Sequence, residues 1–382
     1  MTYKIVDIFP HDMLTHPHEV CLSLYMPTHK LIFDHKKDVL VFKNLVKEAK
    51  ASLEKGMDSE DIKPLLFLLK TMEHDLDLWN NAKDGLAIFA TLDEMIIYRL
   101  ESDVKPVAIV SKSFHIKPLV AYYQAVETFL VLALEAESFK LYKGNHHEMN
   151  PLELNDDVKT TLSEILGSEY TDSYQTHGTY GGASDGSTFH GHGGKSDEID
   201  IDRKKFFRAV DHFVLEAISK KLKHPMLLVA HKEHHHDFRE VSNNPYLLDD
   251  RIEGSYEAFK ADDLKEKIKE INDQRFETLV DKEIEHYHNI MNDNLSSDQL
   301  IIVIKALLQS RVETLMIEKD KIISGKLDKE KLGIIKSDID DPKTDDLLDD
   351  MIEHAYQTGT KVLVLDKEKM PTTSGVAATF RY

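Results

Sequence analysis

The alternation of apolar and polar residues cuts this chain into short strands and one-sided helices. Val20–Met26 alternates as a half-buried strand and stops at Pro27. Val39, Phe42, Leu45, Val46 and Ala49 line one side of a helix predicted over Lys36–Glu54, and a second helix is predicted over Ile62–Trp79. Gly85–Thr91 and Met95–Leu100 read as two strands joined by Leu92–Glu94, and this unit ends around Val120. Thr128–Leu134 and Ser138–Tyr142 form the next hairpin. Asp202–Lys223 keeps Phe206, Val210, Phe213, Val214, Ala217 and Ile218 at helical spacing, with Pro225 beyond its end. Met226–Ala230 is continuously apolar, as in a strand buried on both faces. A long helix or helix pair follows over Asp262–Asn292. Ser296 with Gln299 fits a capping box for a helix over Asp298–Ser310, and Thr344 is placed to cap another over Asp345–Gln357, closed by Gly359. Val312–Ile317, Lys361–Leu365 and Val376–Tyr382 are predicted strands. The fold class is α/β, with three α/β domains in series: 1–120, 121–258 and 259–382.

With 382 residues, 41% of them hydrophobic, the chain can fill several cores. A net charge of −20 argues against nucleic-acid binding by the surface as a whole and leaves room only for local basic patches. Cys21 is the only cysteine, which excludes an intrachain disulfide and any cysteine-based zinc site. The start has no signal-peptide pattern, and no apolar run approaches the roughly 20 residues of a membrane span. The expectation is a soluble, cytoplasmic monomer with no membrane association.

Seven of the 16 glycines fall between Gly178 and Gly194, within a loop predicted over Gln175–Lys195. Gly193-Gly194-Lys195-Ser196 invites a phosphate-loop reading, but position 189, where the first glycine would stand, is Phe189. His231, His234, His235 and His236 cluster after the predicted strand at 226–230, and His231 and His235 would share one helical face. The order H-K-E-H-H is not that of the zinc proteases, so no metal ligand is assigned. The 68 carboxylates offer no pair that stands out as acid and base, and no cofactor is expected. Two basic stretches stand against the acidic background. His29–Lys55 carries seven lysines against four carboxylates, +3, and Arg203–Arg208 follows the glycine-rich loop. Cations beside exposed aromatics suit RNA backbones and splayed bases. The plainer reading of each patch is an ordinary helix face, with Phe206 and Phe207 in the core.

Several segments occur together and in order: Cys21–His29 (C-L-S-L-Y-M-P-T-H), Lys43–Ala49, Leu86–Met95, Ser113–Leu119 (S-F-H-I-K-P-L), Phe189–Gly193, Phe238–Ser242 with Asn244–Leu248, Arg311–Leu315 and Met370–Tyr382. In these the chain resembles the bacterial relatives of the archaeal and eukaryotic class-1 peptide-release factors and Pelota, a group that includes the ribosome-hibernation factor Balon. The resemblance implies a decoding-end domain first and a middle domain carrying the loop that holds Gly-Gly-Gln in true release factors. The last domain would resemble the kink-turn-binding ribosomal-protein fold and contact a translational GTPase or stalk elements. Neither Gly-Gly-Gln nor Asn-Ile-Lys-Ser occurs in this chain. The resemblance therefore implies a ribosome-associated translation factor, acting at the A-site region in stalling, rescue or stress-related hibernation without that mode of peptide release. Its contacts with ribosomal RNA and proteins would be Phe189, His190, Gly191, His192, Gly193, Gly194 and Lys195 of the loop, Arg203 and Lys204 beyond it, and Lys30, Lys36, Lys37, Lys43 and Lys47 in the first domain. No catalytic residue is assigned. Two alternatives stand beside it: a hydrolase of peptidyl-tRNA or RNA working through His177, His190 and His192, and a stress-related module that binds a basic protein through the acidic surface.

Overall fold

The structure, a computed structural model, describes residues 2–16, 18–167, 193–335 and 345–382. The chain is mixed α/β and folds into two compact units, one of Met1–Ala125 with Phe276–Tyr382 and one of Val126–Arg275. The sequence places its divisions after residues 120 and 258. These units part after Ala125 and Arg275, and the first is assembled from both ends of the chain.

The N-terminal segment of the first unit contains β1 (Tyr3–Ile5), β2 (Cys21–Pro27), α1 (His35–Leu53), α2 (Ser59–Met72), α3 (Leu76–Asn80), β3 (Gly85–Ala90), β4 (Met95–Leu100), β5 (Val107–Ser111) and α4 (Lys117–Tyr123). Its sheet runs β1-β4-β3-β2-β5, antiparallel except for the parallel β1–β4 pair. The period-2 alternation of β2 serves two cores. Leu22, Leu24 and Met26 pack with Phe42 and Leu45 of α1 and Leu65 and Leu69 of α2. Cys21 and Tyr25 face the opposite way, into a cluster with Phe89, Tyr98 and Phe114. The single helix predicted over Ile62–Trp79 is two. Asp75 Oδ1 accepts from the backbone N–H of Asp77 at 3.1 Å and of Leu78 at 3.2 Å, capping α3 and ending the run before it.

The second unit contains β6 (Phe129–Leu134), β7 (Phe139–Gly144), β8 (Met149–Pro151), α5 (Leu162–Leu166), α6 (Gly193–Phe213), α7 (Lys220–Leu222), β9 (Met226–Ala230), α8 (Lys232–Val241) and β10 (Leu247–Glu253). The sheet order is β10-β9-β6-β7-β8, with β9 parallel to both β6 and β10. As its apolar run predicts, β9 is buried on both faces. Met226, Leu228 and Ala230 meet Phe206, Phe207 and Phe238, while Leu227 and Val229 meet Leu264 and Ile268. The helix predicted from Asp202 begins earlier, at Gly193. Glycine disfavours helix by about 1 kcal/mol per residue relative to alanine, which is why the sequence pattern starts this helix later.

The remaining elements are α9 (Ala261–Asn289), β11 (Ser296–Ser297), α10 (Leu300–Leu308), β12 (Val312–Glu318), β13 (Ser324–Asp328), β14 (Gly333–Ile335), β15 (Asp345–Asp346), α11 (Leu347–Gln357), β16 (Lys361–Leu365) and β17 (Val376–Phe380). The main C-terminal sheet runs β11-β17-β12-β16. Two expected caps differ. Ser296 belongs to the short strand β11, and Gln299 stands at the start of α10 without a side-chain cap. The cap of α11 is Asp346, whose Oδ1 accepts from Leu348 N at 3.1 Å; Thr344 lies outside the described residues. Gly359 follows α11 with φ +65°, the left-handed conformation expected of it.

A buried ionic cluster joins the two segments of the first unit. The Asp349 carboxylate, fully buried, lies 2.5 Å from His115 Nδ1 and accepts from the backbone N–H of Ile116 at 3.1 Å and of Lys117 at 2.9 Å. Lys117 Nζ donates to Asp346 Oδ2 at 2.5 Å and also to the Lys321 carbonyl. Ser113 Oγ donates to Asp350 Oδ1 at 2.7 Å, and Asp350 Oδ2 accepts from Leu327 N at 3.0 Å. The apolar cluster around these groups draws on both segments, from Leu14, Phe114 and Leu119 to Ile304, Leu315 and Met351. Burial works against the charged form of His115, but the charge and hydrogen bond of Asp349 outweigh it and raise the His115 pKa. Burial likewise opposes ionisation of Asp349, and His115 and Lys117 more than compensate, holding its carboxyl below the usual value. Burial, its largest cause, raises the pKa of Asp346 and Asp350.

Asp349→Ala leaves the His115 ring and two backbone N–H groups without their acceptor, and should destabilise the first unit by roughly 3–5 kcal/mol. Urea unfolding followed by circular dichroism measures this, and Asp349→Asn should lose less. The pH dependence has a definite sign. A raised histidine pKa gives stability that is complete below about 6.5 and is lost as pH rises through the folded value. The raised pKa values of Asp346 and Asp350 act in the same direction, while the lowered Asp349 value removes stability only as pH falls below the carboxylate range. The melting temperature should therefore fall as pH rises above neutrality, and His115→Gln should flatten that dependence.

Candidate functional site

The positions expected to contact RNA fall in three stretches of the chain. Phe189, His190, Gly191 and His192 lie outside the described residues, as does His177. Gly193, Gly194 and Lys195 form the first residues of α6. Arg203 and Lys204 follow on the same helix, and both are held by α8. Arg203 Nη2 donates to Asp237 Oδ2 at 3.0 Å and to Asp200 Oδ1 at 2.7 Å. Lys204 Nζ donates to Glu240 Oε2 at 2.7 Å, a bond that raises the Lys204 pKa and lowers that of Glu240. Phe206 and Phe207 are fully buried, the core reading of the basic–aromatic stretch.

The histidines of α8 do not converge. His231 precedes the helix as an exposed cap residue, 3.8 Å from Glu135. His235 is buried, with Nε2 3.1 Å from the Ile252 carbonyl, so the shared His231–His235 face points two side chains to different surroundings. Burial lowers the pKa of His234 and His235 and favours their neutral forms. Among the described residues, the ligand atoms that do gather, within 4.8 Å, are those of His236, Asp237 and Glu240. Two of these three already bind Arg203 and Lys204, so a metal ion would have to displace protein cations.

The third stretch is α1 with the turn before it. The apolar face of the helix packs inward through Phe42, Leu45, Ala49 and Leu53, which turns Lys36, Lys43 and Lys47 outward. Three of the expected lysines have acidic neighbours: Lys30 with Asp84 at 2.9 Å, Lys37 with Asp34 at 2.7 Å, and Lys43 with Glu73 at 3.2 Å. Among the described residues Lys36 and Lys47 have no ion pair. Large apolar side chains share this surface: Phe33 is 92% exposed, Leu31 66% and Leu40 60%. None of these three stands out as a functional residue in the sequence. Leu40 falls off the Val39–Phe42–Leu45–Val46–Ala49 stripe, which was the available signal of an apolar side chain outside the core.

The α6–α8 pairing generates a stability test that separates structural from binding roles. Arg203→Ala removes charge-assisted bonds from a mostly buried pair and should cost about 1.5–3 kcal/mol in urea unfolding of the second unit. Lys204→Ala, at an exposed pair, should leave the unfolding midpoint unchanged.

Comparison with known proteins bears on the second unit. Residues 127–274 match the family model described as bacterial archaeo-eukaryotic release factor family 6. None of the curated proteins matches the chain. Among solved structures, the archaeal translation termination factor aRF1 is 13% identical with a TM-score of 0.25, over 97% of this chain and 95% of its own. Archaeoglobus fulgidus Pelota is 12% identical with a TM-score of 0.33, over 78% of this chain and 79% of its own. Dom34 of S. cerevisiae, a translation termination-like factor that interacts with Hbs1, is 13% identical with a TM-score of 0.36, again over 78% and 79%. The matched span 127–274 takes in the whole sheet of the second unit and the α6–α8 pair, and over it the chain is similar to bacterial archaeo-eukaryotic release factor family 6.

Proposed function

We propose that this protein is a release factor-like translation factor that binds the ribosome at or near the A site, in stalling, rescue or hibernation. The family-model match over residues 127–274 carries this reading. Within the proposal stand the three-domain series divided after 120 and 258, a last domain of the kink-turn-binding type, and a translational GTPase as a further partner. The protein works by docking. It lacks Gly-Gly-Gln, the motif the resemblance makes responsible for peptide release, and the nearest described segment, Gly193-Gly194-Lys195, opens a helix. RNA binding is confined to local cation-bearing surfaces, because the −20 chain repels phosphate elsewhere. The outer face of α1 supports this best. Lys36 and Lys47 are both exposed on that helix, near its start and past its middle, and neither has an ion pair among the described residues to break first.

Co-sedimentation with purified ribosomes at moderate salt tests the reading, and the protein should pellet with vacant or stalled ribosomes. Absence from vacant, stalled and translating ribosomes alike would overturn it. Lys36→Glu with Lys47→Glu should weaken binding about tenfold or more. The double variant should also show a shallower salt dependence, by about 0.7 log units per log unit of salt for each phosphate these lysines neutralise.

A further inference from the structure

Beside the exposed face of α1 lies a cleft of about 500 Å³, bounded by α1, the end of α2 and α3. Its size falls within the roughly 300–1,000 Å³ of small-ligand sites. The lining divides by chemistry. Val39 and the exposed Leu76 supply an apolar wall with Trp79, only 3% exposed, packed behind it; Lys36 and Lys43 supply a cationic side, and Asn80 an amide. Glu73 also lines the cleft and pairs with Lys43 at 3.2 Å, so Lys36 is the lysine there without an ion pair among the described residues. Leu76 is 73% exposed, an apolar side chain at the opening of the cleft with no protein covering most of it. His35 lines the cleft as well. It is 9% exposed, and its Nε2 has no hydrogen-bond partner among the described residues. A buried ring nitrogen left without a partner is costly, and a polar group entering the cleft is one way to satisfy it.

We propose that this cleft binds a nucleotide, with the base against Val39 and Leu76 and the phosphate on Lys36. The apolar wall suits a planar base, whose faces leave water by packing against apolar side chains. The Asn80 amide offers both a donor and an acceptor to a base edge. The ammonium of Lys36 is a point charge suited to a phosphate. A ligand that was only an anion would leave Leu76 exposed, and one that was only apolar would leave Lys36 without a counter-charge. The proposal rests on the RNA-binding reading of α1 and deepens it by naming the chemical unit taken up. That unit comes either from free nucleotide or from a splayed nucleotide of an RNA strand.

Trp79 is the chain's only tryptophan and packs behind the cleft wall, so tryptophan emission of the full-length protein reports on this part of the molecule. The four nucleoside monophosphates and a short single-stranded RNA are titrated separately, with inorganic phosphate as a control. A saturable change in Trp79 emission is expected with nucleotide or RNA. A stronger response to mononucleotides identifies free nucleotide as the source, and a stronger response to the oligomer identifies RNA. Lys36→Gln and Leu76→Asp, both exposed positions, should each weaken binding about tenfold while the melting temperature stays at the wild-type value. No response to mononucleotides at millimolar concentration or to RNA overturns the proposal. So does an equal response to phosphate alone, or unchanged affinity in both variants. Ribosome co-sedimentation is run on the same samples. A silent Trp79 in protein that still pellets with ribosomes removes the cleft and leaves the ribosome reading intact, whereas a responding Trp79 in protein that never pellets does the reverse.

Discussion

One buried carboxylate holds the first unit in register. Asp349 has no exposure to solvent, and both its oxygens are committed to the short stretch His115–Lys117. Apolar burial drives these chain ends together but is not directional, so the surrounding cluster would tolerate small slides of α11 over residues 113–123. The ionic cluster does not. A shift that broke the bonds of Asp349 would strand a charge in a low-dielectric interior, which costs more than the original pairing contributed. Lys117 and Ser113, bound to Asp346 and Asp350 on either side of Asp349, repeat the constraint. The first unit is therefore one body although its two segments are separated in sequence by the whole of the second unit.

The same pairing of charges sorts the surface. In a chain with 68 carboxylates and 48 lysines and arginines, many cations find an acidic neighbour within the fold. Arg203 and Lys204 are used in this way to bind α6 to α8. Of the five first-domain lysines expected at RNA, that pairing takes Lys30, Lys37 and Lys43 and leaves Lys36 and Lys47 on α1 without an ion pair among the described residues, beside exposed apolar side chains. Function is read more safely from these leftovers than from the density of basic residues in a window, because local density does not reveal which charges the fold has already neutralised.

Much of the architecture was legible. The strands Gly85–Ala90, Met95–Leu100, Phe129–Leu134 and Met226–Ala230, and the helices at 35–53 and 347–357, follow from apolar period and length. The errors were local competitions. Asp75 ended a helix whose apolar pattern ran on to Trp79, because its side chain captures the N–H groups that continuation would use. Ser296 fitted a capping box but pairs instead as a strand residue with Thr379. Family-like segments such as S-F-H-I-K-P-L were visible, yet their role was not: the pattern of Ser113–Leu119 does not say that Lys117 is buried or that Asp349 receives it.

The amino-acid order by itself determined the α/β class, the position of most elements, the acidic surface and the absence of Gly-Gly-Gln, since each depends on composition or on spacing within one element. Only the tertiary structure decided that the two ends of the chain share a core, that His235 faces a backbone carbonyl while His231 faces outward, and that Trp79 and Lys36 border one cleft. Those outcomes depend on which distant groups satisfy a buried charge or a hydrogen bond, and such partners are chosen by the folded geometry and not by proximity along the chain.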